Sequence, residues 1–132
     1  MKNQFRVHYT VEEARALLPR IRGWLEEIRG ERRRLEDIES QLAALLQSGA
    51  DVGGAQANQH VRGAAAIQKL LGEFTGRGIL IKDLERGLLD FPAVLGGREV
   101  LLCWEEDEAD IEFWHEIEAG YAGRERLEGT DQ

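Results

Sequence analysis

The chain has 132 residues, 42% of them hydrophobic and 32% charged, which suits one domain spanning 1–132 and excludes a disordered polar tract. Its longest apolar runs, such as Ala64 to Ile67 and Ile79 to Ile81, fall far short of the roughly 20 residues that a bilayer span requires. The net charge of −8 is uneven: residues 83–132 carry 15 acidic against 4 basic side chains, so this end should repel nucleic acid.

The opening MKNQFRVHYTVEE holds no apolar stretch of the kind a secretory signal needs. Together with a single cysteine, Cys103, this points to a soluble, cytoplasmic protein without internal disulfides. Thr10-Val11-Glu12-Glu13 reads as a capping box that starts a first helix. Apolar residues follow at Ala14, Leu17, Leu18, Ile21, Trp24, Leu25 and Ile28, then at Leu35, Ile38, Leu42 and Leu45. From Ile21 onward the spacing is that of a coiled-coil seam. Pro19 removes one helical donor and should kink this helix, and Gly49 suits the left-handed position that ends it. Arg29, Arg32, Arg33 and Arg34 form a basic cluster, but acidic residues four positions on can neutralise it. No aromatic side chains are interleaved for base stacking, so nucleic-acid binding is not expected.

Residues 48–58, rich in Gly and Ala, read as a mobile loop. A second helix is expected over about 57–75, and with the first it forms a helical hairpin over 10–75. A β-rich part with an acidic C-terminal region follows over 78–126. Its strands are Gly78 to Leu84, Leu88 to Leu95 and Arg98 to Trp104, with Ile111 to His115 as a possible fourth. Gly96-Gly97 is a two-residue hairpin signal. Pro92 places its strand at an edge or a bulge. The runs ILI and VLLCW do not alternate apolar with polar, so parts of both sheet faces should be buried. One helical hairpin can cover a single face. A second subunit over the other face, hence a homodimer, is the expectation; helix 1 and the C-terminal tail wrapping both faces is the alternative.

Several chemistries are absent from the inventory. There is no nucleophile-elbow serine, no phosphate-binding glycine loop, and His115-Glu116 lacks the second histidine of a zincin helix. What remains is a set of carboxylates near one imidazole: Asp83, Glu85, Asp90, His115 and Glu116. Oxygen donors with one nitrogen suit a divalent manganese, iron or zinc ion. A thiolate–imidazole pair of Cys103 with His115 is a further combination. Arg86, Arg98 and Arg124 could hold an anion, or pair with the carboxylates instead.

The strings YTVEEARALLP, IKDLERGLLDFPA, GREVLLCW and IEFWHEIEAGYAGR resemble a small prokaryotic family, domain of unknown function 2203. The similarity runs from about residue 8 to 126. It implies a stand-alone, cytosolic, bacterial-type protein that is helical first and β-rich later. It implies no activity, substrate or catalytic residue. The expected fold is α+β, a long antiparallel helical hairpin followed by a three- or four-stranded antiparallel sheet. The leading function is a non-enzymatic interaction module that self-associates; the alternative is a metal-dependent, hydrolase-like enzyme built on the carboxylate and histidine cluster.

Overall fold

The computed structural model describes residues 3–49 and 54–127. Helix α1 runs over Val11–Gln47 and α2 over Gly54–Thr75. Five strands follow: β1 Leu80–Asp83, β2 Leu88–Leu95, β3 Arg98–Glu105, β4 Phe113–His115 and β5 Glu125–Arg126. They form one sheet in the order β1-β2-β3-β4-β5, and each neighbouring pair is antiparallel. The α+β hairpin-and-sheet architecture is therefore as expected, with five strands where three or four were anticipated. Among the described residues, no helix is long and apolar enough to cross a membrane.

By internal contacts the chain divides into two units, Met1–Gly23 with Phe74–Gln132, and Trp24–Glu73. In the first unit, the capping box closes as drawn from sequence. The Thr10 N–H donates to Glu13 Oε1 at 2.8 Å, and the Glu13 N–H donates to Thr10 Oγ1 at 3.1 Å. The helix continues through Pro19. Its inward residues Val11, Ala14, Leu18 and Ile21 are buried, as a 3.6-residue period requires.

Alternation along the strands defines two sheet faces. Leu89, Phe91, Ala93 and Leu95 of β2 share one with Val100, Leu102 and Trp104 of β3, and all seven are buried. The start of α1 covers this face. Tyr9 meets Phe91 edge-on at 5.6 Å, and the Arg22 guanidinium lies 4.9 Å from the Trp104 ring centre. Arg15 and Arg22 then donate to the carbonyls of Ile111, Glu106 and Glu108.

The opposite face carries Leu88, Asp90, Leu101, Cys103 and His115, which are buried as well. The premise for a covering subunit is thus met from within the chain. The segment after β4 turns back over this face and brings Ile117, Gly120 and Tyr121 beside it. Pro92 sits where β2 extends past the end of β1, which pairs no further than Leu80↔Asp90. Its carbonyl accepts the Tyr9 N–H at 2.7 Å instead, so the missing proline donor leaves no ladder bond unmade.

The second unit is the helical hairpin. Of the loop expected over 48–58, residues 50–53 lie outside the described residues. Residues 54–58 are helical, because Ala55, Gln56 and Ala57 favour a helix once it has begun. Gly49 adopts the left-handed conformation at φ 78°.

Candidate functional site

The β2–β3 hairpin sets the geometry of the site. Gly96 and Gly97 have φ of 59° and 75°, the two positive values that a two-residue turn between twisted strands demands. That turn fixes Leu95 opposite Arg98, and counting back along the strands puts Asp90 opposite Cys103. The next strand places His115 opposite Leu101, two positions from Cys103 on the same face. Three adjacent strands therefore each contribute one metal-ligating side chain to one spot.

Asp90, Cys103 and His115 are 2%, 1% and 2% exposed, and their donor atoms all lie within 4.8 Å of one another. They line a cavity of about 190 Å3, shared with Lys82, Leu88, Ile117, Gly120 and Tyr121. The His115 ring is held from both sides. Its Nδ1 lies 2.7 Å from the Glu116 carbonyl oxygen, and its Nε2 lies 3.1 Å from Asp90 Oδ1. A carbonyl can only accept, so Nδ1 carries a proton and donates it. One further proton is then shared between Nε2 and the Asp90 carboxyl. Burial first, and then the neighbouring Asp90 charge, push the Cys103 thiol up to about 12. In metal-free protein the sulfur is a protonated donor toward that carboxylate.

The other sequence candidates do not converge here. Asp83 accepts the Arg86 N–H at 3.1 Å and serves the β1–β2 turn. Glu85, in that same turn, is exposed. The Glu116 carboxylate takes a hydrogen bond from Arg98 at 2.7 Å, while its main-chain carbonyl orients His115. Arg86 donates to Glu105 at 2.8 Å, and that bond is the chief reason the Glu105 carboxyl lies below its ordinary range. Arg124 pairs with Glu108 and stacks 3.8 Å from the Phe113 ring centre and 4.5 Å from that of Tyr121. Its Nη1 is buried without a hydrogen-bond partner. The remaining histidines lie elsewhere, His8 on Glu99 and His60 on Glu39.

Cys103 is the member that reasoning from carboxylates left out of the ligand set. The signal for it was the hairpin register, not a motif.

Residues 7–127 match the family described as Uncharacterized conserved protein (DUF2203). The chain belongs to this family. Comparison with curated proteins and with solved structures gives no match. Family membership confirms the resemblance carried by the DLERGLLDFP and WHEIEAGYAGR strings, which contain Asp90 and His115. It assigns no role to either residue, so the chemistry must be argued from the cluster itself.

Proposed function

We propose that the protein is a metal-dependent, hydrolase-like enzyme whose centre is a divalent ion held by Asp90, Cys103 and His115. The observation that carries this reading is the orientation of His115. With Nδ1–H committed to the Glu116 carbonyl, the Nε2 lone pair is directed toward Asp90 and Cys103, as it is in ligating histidines with a fixed outer partner. An oxygen, a sulfur and a nitrogen donor favour zinc over manganese or magnesium, because a thiolate is too soft for the latter two. Tetrahedral zinc separates such donors by roughly 3.3–3.6 Å. Asp90 Oδ1 and His115 Nε2 stand 3.1 Å apart, so they need to part only slightly.

Three protein ligands leave a fourth position for water, the arrangement of catalytic rather than structural zinc sites. A metal there would lower the pKa of bound water and so supply a nucleophile near neutral pH. The cavity beside the cluster, of about 190 Å3, has the lysine Lys82 among its lining residues, which favours a small anionic ligand. Ligand formation displaces the thiol proton and the proton between His115 and Asp90, so metal binding should strengthen as pH rises.

Cobalt(II) titration of chelator-treated protein tests the proposal. One equivalent should bind and produce a thiolate-to-cobalt charge-transfer band, and Cys103→Ser should abolish the band while the fold persists. Zinc-loaded protein should cleave a small anionic ester, and Cys103→Ser and His115→Gln should not. Absence of stoichiometric metal, or a band that survives Cys103→Ser, would sink the reading. Self-association, the other function suggested by the sequence, draws its support from the helical hairpin.

A further inference from the structure

The hairpin unit Trp24–Glu73 lacks the core that two amphipathic helices normally share with further helices. Among its described residues the buried ones are Leu25, Ile28 and Gly63. Leu35, Ile38, Leu42 and Leu45 of α1 are half-buried, as are Ile67, Leu70 and Leu71 of α2. Leu46 and Val61 are each 66% exposed. Two helices touch along one line, whereas an apolar stripe wider than about 100° needs neighbours on more than one side.

Along one side of the pair runs a continuous groove. Gly30, Gly63 and Ala66 line it together with Trp24, Ile38 and Leu70. Glu31 and Arg34 of α1 and Glu73 of α2 are among its charged residues, and four others stand with one sign to each helix: Glu27 and Asp37 on α1, Arg62 and Lys69 on α2. Among the described residues none of these four forms an ion pair within the chain. The other two charges of the groove's middle, Glu31 and Arg34, satisfy each other at 2.5 Å. A Cβ on Gly63 would touch Leu35, and Glu39 reaches His60. This register puts Glu27 level with Lys69, and Asp37 level with Arg62, to within about one turn.

We propose that this groove is the interface of a homodimer whose two-fold axis runs along the groove, so that α1 of each copy lies over α2 of the other. A rotation about that axis keeps every residue at its own height and exchanges the helices. It sets Glu27 against the partner's Lys69 and Asp37 against the partner's Arg62, each twice. A second copy is therefore the occupant whose charges match all four unpaired groups at once. Glycine and alanine along the groove let the helices approach closely, and the half-buried Ile38 and Leu70 become core. The hairpin face measures roughly 35 Å by 20 Å, about 700 Å2 per copy, which is near the standard size of a stable interface.

Light scattering coupled to size exclusion, with paired charge reversals, tests both the dimer and its geometry. Wild type should elute at twice 14.9 kDa. A variant with Glu27→Lys and Asp37→Lys sets positive on positive across the interface; one with Arg62→Glu and Lys69→Glu sets negative on negative. Each alone should be monomeric, weakened by roughly tenfold or more, with helical circular dichroism unchanged. Mixed in equal amounts they should form a heterodimer, because every cross-pair is then opposite in sign. A monomeric wild type at high micromolar concentration overturns the proposal. So do variants that dimerise as well as wild type, or a mixture that stays monomeric.

Discussion

Removal of the His115 imidazole is the sharpest probe of the buried cluster. In metal-free protein His115 and Asp90 are each 2% exposed and stand 3.1 Å apart. His115→Ala strands a carboxyl group that is only 2% exposed, and breaking a buried pair in this way costs about 3–5 kcal/mol. For 132 residues unfolding in one transition, the unfolding entropy is about 0.28 kcal/mol/K, so the midpoint should fall by roughly 11–18 °C. Asp90→Leu combined with His115→Leu removes both polar groups at once, and the adjoining cavity of about 190 Å3 leaves room for the new side chains. That double variant should melt within a few degrees of wild type, because an apolar replacement of a buried pair is often neutral or stabilising. The assay is calorimetry in the presence of a chelator, run as a double-mutant cycle. A fall of less than about 4 °C for His115→Ala, equivalent to about 1 kcal/mol, would refute the reasoning. A double variant as unstable as the two single changes added together would refute it as well.

Three further outcomes follow from the same structure. Gly87 has φ +64°, and a Cβ there would lie 2.6 Å from Glu106 Cβ; Gly87→Ala should cost about 1–3 kcal/mol in urea unfolding, and a loss below about 0.5 kcal/mol would contradict the turn. Thr10→Ala opens the capping box and should cost about 1 kcal/mol by the same assay, whereas Thr10→Ser should restore most of it. Burial alone would raise the Glu99 carboxyl, but hydrogen bonds from His8 and from the Gln4 and Phe5 N–H groups hold it below its ordinary range. Its stabilisation is therefore complete above the ordinary glutamate pKa of about 4.3 and is lost as pH falls through the lower folded value. Thermal melts from neutral to acid pH should show wild type losing its advantage over Glu99→Gln in that window, and parallel curves would count against the contact.

The helices and strands were legible because their signals are local. The Thr10–Glu13 box, the apolar period from Ala14 and the paired glycines at 96 and 97 each act over a few residues, where chain neighbours outweigh distant ones. Strand β5, Glu125–Arg126, carries no such signal. Two charged residues are a strand only because β4 offers them an edge. The Asp90–Cys103 pairing was also within reach, since a two-residue turn dictates every later partner in the hairpin. Its chemical meaning was hidden because Cys103, between Leu102 and Trp104, looks like any small buried residue.

By itself, then, the sequence determined the order and kind of the elements as far as β4, the family, and the β2–β3 register. Two matters were left to the tertiary structure. One is the path of residues 116–124, which brings Ile117, Gly120 and Tyr121 beside the second sheet face, where tail and partner subunit would bury apolar surface equally well. The other is which carboxylates matter. Asp83, Glu85 and Glu116 look like Asp90 in the sequence, but only Asp90 stands on the buried face beside His115, where desolvation gives a charged group reason to find a proton, a cation or a metal.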